Sequence, residues 1–191
     1  NTLNVGRVAS ALVSYVVEDH EDVYSVNPLV GETNDGYLHD IRRKNILENH
    51  VWSAIEGATS GAVAEGCVGA GTGTICYGFK GGIGTASRQI PDSPYHVGTL
   101  LQTNFGRREE LTMLGVPVGM HLMDYMRYEP ESKGGSVMIV IATDAPVDAR
   151  QLTRMAKRAT FGLGRTGAIG HSGSGEFVIG FTTANRRLHK P

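Results

Sequence analysis

The chain has 191 residues and a mass of 20.4 kDa, enough for one domain with a substantial core and short of what two ordinary domains need. Eighteen Lys and Arg against nineteen Asp and Glu leave a net charge of -1, which excludes the broad positive field that a nucleic-acid backbone or an anionic membrane surface requires. The longest apolar runs, around 12–17 and 137–142, fall far short of the roughly 18–20 residues of a membrane-spanning helix, so a soluble protein of the cytoplasm or periplasm is expected.

The first residues, Asn1 to Val5, carry neither a methionine nor the basic and apolar regions of a signal peptide, and read as a cut end. Apolar positions at Val5, Val8, Ala9, Leu12, Val13 and Val16 then follow the spacing of a helix with one buried face over 5–18. Residues 27–37, rich in Asn, Pro, Asp and Gly, predict irregular backbone, and a short helix is expected over 48–57. The 26 glycines, about twice ordinary usage, cluster above all between Gly66 and Gly84. That stretch reads as a glycine loop leading into a strand over 74–80, with Gly81 and Gly82 turning it into a second strand, and a further strand is expected over 95–104.

Residues 124–135 are polar, end in Lys133-Gly134-Gly135, and suit an exposed connection. The run that follows, 136–144, is nearly continuously apolar, as expected of a strand buried on both faces, and it begins at Ser136. Asp148 can cap the next helix with Gln151 at the capping-box position. Leu152, Met155, Ala156, Ala159 and Leu163 fall on one stripe of it, and Arg150, Arg154, Lys157 and Arg158 lie off it on a solvated face. A glycine-rich turn, 164–175, leads to a last strand over 176–183. Mixed strands and helices with a hairpin-like pair predict sheets covered by helices on their outer faces.

Several familiar chemistries are excluded by spacing. Gly73 and Gly78 have the interval of a phosphate-binding Walker loop, but Phe79 precedes Lys80 and Gly81 follows it, and Gly69, Gly71 and Gly73 misplace the third glycine of a dinucleotide loop. The seven histidines form no HExxH or other paired ligand spacing, and Cys67 and Cys76 form no CxxC, so no metal site and no disulfide framework is expected. Neither Ser172 nor Ser174 fits the GxSxG elbow of the alpha/beta-hydrolases.

Two features remain. Ser174-Gly175-Glu176 opens a strand, where residues two apart point to the same face, so a hydroxyl and a carboxylate would stand side by side and the carboxylate could orient the hydroxyl for proton transfer; the alternative is a turn serine beside a rim glutamate. Gly134-Gly135-Ser136 joins the exposed connection to the buried strand. Cleavage of the Gly135–Ser136 bond would give Ser136 its own amine, a group that ordinarily titrates near pH 7.7–8.0 and so suits acid-base work at neutral pH, and the preceding glycines could supply the strained backbone that such a cut needs.

Residues 135–146, Gly-Ser-Val-Met-Ile-Val-Ile-Ala-Thr-Asp-Ala-Pro, together with Ser-Gly-Glu-Phe at 174–177, Gly-Gly-Ile-Gly-Thr-Ala-Ser-Arg at 81–88 and Gly-Glu-Thr-Asn-Asp-Gly-Tyr-Leu at 31–38, closely resemble the self-processing serine aminopeptidases. That group comprises the L-aminopeptidase/D-esterase-amidases and the beta-peptidyl aminopeptidases; the motifs occur in its order and the resemblance covers essentially the whole chain. It implies a four-layer alpha-beta-beta-alpha sandwich, an α/β fold like that of the N-terminal nucleophile hydrolases, here in part. It further implies one structural domain cut into an alpha chain, of which 1–135 is the C-terminal part, and a beta chain, of which 136–191 is the N-terminal part. By the same resemblance Ser136 is the nucleophile for self-cleavage and turnover, and Ser174 and Glu176 are its supporting pair. Asn104, through its amide N–H, and Asn34, through its backbone N–H, form the oxyanion hole, and Glu32 holds the substrate's free amine. His39 receives no role. The implied substrates are short peptides, amino-acid amides or esters, the implied assembly is a homo-oligomer of alpha/beta heterodimers, and no cofactor is implied. The alternative is a non-catalytic truncated domain of the same fold.

Overall fold

The structure, a computed structural model, describes residues 1–126 and 135–186. Its centre is a four-stranded sheet in the order β3-β4-β5-β6, built from Ile83–Gln89, His96–Asn104, Gly135–Thr143 and Ser174–Thr182. β3, β4 and β5 are antiparallel neighbours, whereas β6 runs parallel to β5 and is reached through the helix α4, Ala149–Arg165. The strand expected from the apolar run at 136–144 is therefore central, with a partner on each edge.

The two faces of β5 are distinct. Val137, Ile139 and Ile141 are almost fully buried in a core with Tyr77, Phe105, Leu111 and Leu163, against which Met155 and Ala159 of α4 pack. Each such side chain contributes roughly 1.5–3 kcal/mol by leaving water. The expected stripe on α4 is thus the buried one, and Arg150, Arg154, Lys157 and Arg158 are exposed. The predicted cap is present as a reciprocal pair: the Gln151 N–H donates to Asp148 Oδ1 at 2.7 Å and the Asp148 N–H to Gln151 Oε1 at 2.9 Å. On the other face, Met138 lies under the irregular segment 27–39, so close that a Cβ on Gly31 would stand 2.3 Å from its terminal methyl.

Two further helices, α1 (Val5–Asp19) and α2 (Glu48–Glu56), pack on each other. Trp52 joins them by donating its indole N–H to the Ala11 carbonyl at 3.2 Å and by an edge-on contact with Tyr15. A single turn of helix, α3 (Val118–His121), was not legible in the sequence. Most of the predicted exposed connection, 127–134, lies outside the described residues. Among the described residues no helix is long and apolar enough to cross a membrane.

The stretch 74–80 is not the single strand expected of it. Tyr77 and Gly78 both have positive φ, 51° and 67°, and fold it into a miniature hairpin of β1 (Ile75–Cys76) and β2 (Phe79–Lys80). Two consecutive positive φ values make the tight turn whose twist matches paired strands. Gly81 and Gly82 consequently turn nothing; Gly82 lies against the Gly66 backbone, where a Cβ would meet the Gly66 carbonyl oxygen at 2.5 Å. The glycine loop is packing, and Lys80 closes it by donating to the carbonyls of Gly71, Thr74 and Gly81 at 2.7, 3.0 and 2.8 Å.

Both cysteines are free thiols. Burial pushes the Cys76 thiol up to about 11, partly offset by hydrogen bonds with Thr103 and Phe105, while Cys67 is exposed. Because the thiolate is the reactive species, iodoacetamide at pH 8 is expected to label Cys67 at least about tenfold faster than Cys76 in the native protein. Peptide mapping of the labelled protein, native and denatured, measures the ratio; equal native rates would contradict the burial.

Candidate active site

Strand pairing decides which side chains meet. In the antiparallel register Ser136 lies opposite Asn104 and Met138 opposite Gln102, and paired residues share a face. Ser136, half-buried at the start of β5, therefore stands on the face covered by 27–39, away from the α4 core. That covering segment is fastened to β4. Gln102 donates to Thr33 Oγ1 at 2.7 Å, with Thr33 fully buried, and Asn104 Nδ2 donates to the Asn34 carbonyl at 2.9 Å. The structure thus brings Ser136, Asn104 and residues 32–34 together.

Asn104 has its amide orientation fixed. Its Oδ1 accepts the Ile75 N–H at 3.0 Å, so the NH2 group is directed to the Asn34 side. One of its two protons serves the Asn34 carbonyl; the second is available to another acceptor. The residues that follow explain the local sequence: Phe105 turns into the core edge-on to Tyr77, ring centroids 5.1 Å apart, and Gly106 at φ 83° passes so near Tyr77 that a Cβ would stand 2.5 Å from its ring. The Asn34 side-chain oxygen is occupied within its own turn, accepting the Gly36 N–H at 3.0 Å.

Ser174 and Glu176 reach Ser136 by a different route from the one expected. In the parallel register Gly135 pairs with Ser174, Ser136 with Gly175 and Val137 with Glu176. Ser174 and Glu176 share a face, as their spacing predicts, but it is the face of Val137 and α4, opposite that of the Ser136 side chain. They flank the Gly135–Ser136 peptide bond itself. Nor does Glu176 orient the Ser174 hydroxyl: Ser174 Oγ is buried and has no hydrogen-bond partner among the described residues. The reason is geometric, since residues two apart on a strand are separated by about 6.6 Å along the chain. A buried hydroxyl left so costs on the order of 1–3 kcal/mol and calls for an explanation.

Gly135 also differs from expectation in its reason. Its φ is not positive; instead a Cβ there would stand 3.0 Å from both the Asn104 carbonyl oxygen and the Phe105 Cα. The close approach of the Asn104–Phe105 backbone, and not a positive φ, favours glycine at 135. Gly134 lies outside the described residues.

Glu32 is half-buried, and its Oε2 accepts the Thr2 hydroxyl. It is thus held in place instead of being a free surface carboxylate. Sequence reasoning missed the residues that hold this region: Thr2, Thr33 and Gln102, and the buried Asp35, whose Oδ2 is 2.8 Å from His39 Nδ1. Gln102 was within reach, because it lies two residues before Asn104 on the same strand face; Thr2 carries no local signal. Among the described residues no group of three or more His, Cys, Asp or Glu side chains stands close enough to hold a metal ion.

Comparison with known proteins gives a consistent picture. The family model of peptidase family S58 matches residues 1–191. The beta-peptidyl aminopeptidase BapA of Sphingosinicella microcystinivorans is 43% identical over 205 residues, covering 98% of this chain and 51% of the relative. Among solved structures, the PH0078 protein from Pyrococcus horikoshii OT3 superposes with a TM-score of 0.90 at 48% identity, covering 100% of this chain and 54% of that one. The L-aminopeptidase D-Ala-esterase/amidase from Ochrobactrum anthropi, described as a prototype of the serine aminopeptidases and a new variant among the Ntn hydrolase fold, superposes with a TM-score of 0.83 at 39% identity, covering 98% and 53%. The chain spans about half the length of the curated relatives it matches.

Proposed function

This chain belongs to peptidase family S58, and from that premise we propose that it works as a self-processing aminopeptidase. It cuts its own Gly135–Ser136 bond and then uses the freed Ser136 to release N-terminal residues from short peptides, amino-acid amides or esters. The observation that carries the reading is the setting of that bond, with Asn104 and residues 32–34 on one side of the sheet and Ser174 with Glu176 on the other.

Self-cleavage uses both faces. Ser136 Oγ attacks the Gly135 carbonyl carbon, an O–C bond forms, the C–N bond breaks, and the hydroxyl proton ends on the released nitrogen. Water then hydrolyses the ester, leaving a carboxylate on Gly135 and an amine on Ser136. That nitrogen is a backbone atom, reachable from the face opposite the attacking hydroxyl, where Ser174 and Glu176 stand. Ser174 Oγ, which has no partner among the described residues, is suited to hydrogen-bond the amine that cleavage creates. In turnover the Ser136 amine accepts the proton of its own hydroxyl as Oγ attacks the substrate carbonyl, and returns it to the leaving amine. Water regenerates the serine. The free Asn104 N–H, with the Asn34 backbone N–H, stabilises the developing oxyanion. The working assembly in this reading is a homo-oligomer of alpha/beta heterodimers. A non-catalytic domain is not favoured, since Ser136, Asn104, Ser174, Glu176 and Glu32 are all present.

Intact-mass and N-terminal analysis of the purified protein tests the first step. A species beginning at Ser136 and a companion ending at Gly135 are expected to accumulate together; only uncut chain after prolonged incubation would overturn self-processing.

Glu32 supplies the exopeptidase character in this reading: its carboxylate, held by the Thr2 hydroxyl, would form a charge-assisted hydrogen bond with the substrate's ammonium. Glu32→Gln is expected to lower kcat/KM on a free peptide amide by about 10- to 100-fold, the equivalent of losing a charged hydrogen bond of about 1.5–3 kcal/mol, and to leave the already slow N-acetylated form unchanged. Equal loss on the two substrates would place amine recognition elsewhere.

A further inference from the structure

We propose that Glu110 and His171 form a positioning pair that sets Ser174 and Glu176 against the Gly135–Ser136 bond. The proposal rests on the reading of Ser174 and Glu176 given above and adds two residues outside every motif that led to it.

Glu110 Oε1 and His171 Nε2 are 2.6 Å apart, and their side chains are only 12% and 22% exposed, so solvent screens the contact far less than it would a surface pair. Each partner is bonded to backbone that matters. The other oxygen of Glu110 accepts the Arg107 N–H at 2.9 Å, fixing the carboxylate on the turn that begins directly after Asn104-Phe105-Gly106. The His171 carbonyl accepts the Ser174 N–H at 2.8 Å, closing the four-residue turn from which β6 starts. Within that turn the Gly173 carbonyl accepts the Gly135 N–H at 3.4 Å. One imidazole therefore ties the turn that holds both Ser174 and Gly135 to the segment leaving Asn104.

The neighbouring ties cannot replace it. The Thr112 N–H donates to the Thr166 carbonyl at 2.9 Å and the Tyr77 hydroxyl lies 2.7 Å from Thr166 Oγ1, and Gly167, φ 99°, passes so close to Glu110 that a Cβ would stand 1.7 Å from its carbonyl oxygen. These dock only the beginning of the connection between α4 and β6. From Ile169 to Gly173 every residue is exposed except His171. The side chain nearest Ser174 that anchors the connection is thus the histidine, and it acts on the reaction through the position of another group, where a displacement of about 1 Å can cost on the order of a hundredfold in rate.

The test uses the intact protein with His171→Leu, His171→Gln, Glu110→Gln and Ser174→Ala. His171→Leu is expected to slow self-cleavage and to lower kcat by roughly 10- to 100-fold with KM within about twofold. His171→Gln keeps an N–H for Glu110 and is expected to recover most of the loss, and Glu110→Gln, which keeps an acceptor, to fall between. Hydrogen exchange of the β6 peptide should quicken at the Ser174 N–H in His171→Leu and return towards the parent rate in His171→Gln. A lowered melting temperature with unchanged kcat and unchanged exchange at Ser174 would overturn the proposal alone. Parent-like activity in Ser174→Ala would overturn it together with the reading it rests on.

Discussion

Ser136→Ala is expected to leave a folded, uncut chain without measurable peptidase activity. The substitution removes one oxygen from a half-buried position at the start of β5, and the strand keeps its backbone pairing with β4 and β6, so stability should change by no more than about 1 kcal/mol. Chemistry is another matter. Self-cleavage needs a nucleophile attached to the nitrogen side of the bond that breaks, and Ser174, although it flanks the same peptide bond, lies on the opposite face and is joined to another strand. Turnover then fails twice, once for want of the hydroxyl and once because the amine of residue 136 is never released. Losing a nucleophile that acts as one unit with its base typically costs about six orders of magnitude in kcat. The comparison to make is intact mass and peptide-amide hydrolysis of parent and variant over the same incubation. Product beginning at residue 136 in the variant would transfer the nucleophile's role elsewhere.

Asn104→Ala is expected to lower kcat by about 10²- to 10³-fold with little change in KM, the usual loss when one preorganised oxyanion donor is removed. The specific reason here is that the amide is held before any substrate arrives: the Ile75 N–H fixes Oδ1, so the donor group has one orientation, and the Asn34 carbonyl takes one of its protons. Alanine also orphans the Ile75 N–H, at a cost in stability on the order of 1–3 kcal/mol. Asn104→Asp separates the two effects, because it retains an acceptor for Ile75 and loses both donors. It should match alanine in kcat and leave the Ile75 contact intact. Unchanged kcat in either variant would remove Asn104 from the oxyanion hole.

What the sequence determined by itself was local. The cap at Asp148 and Gln151, the apolar stripe of α4, the helical spacing over 5–18 and the run from Val137 to Ile141 all express preferences of neighbouring residues for helix or strand, and all appear nearly where expected. The family motifs were legible for the same reason, being short and contiguous. The single strand expected at 74–80 failed because β propensity carries no record of positive φ at Tyr77, a residue turned by its burial beside Phe105 and its contact with Thr166. Alternation along one strand correctly put Ser174 and Glu176 on a common face, yet could not say which face of the sheet that was relative to Ser136. Only the parallel pairing of β6 with β5 decides it, placing the two beside the Gly135–Ser136 peptide and away from the Ser136 side chain. Likewise the orientation of the Asn104 amide, the hold of Thr2 on Glu32 and the Glu110–His171 pair join residues 29 to 70, 30 and 61 positions apart. No window of sequence contains both partners of such a contact, and its existence follows from strand order and register, which the whole chain settles by burying one face of β5 in the core beneath α4 and seating Met138 of the other under Gly31.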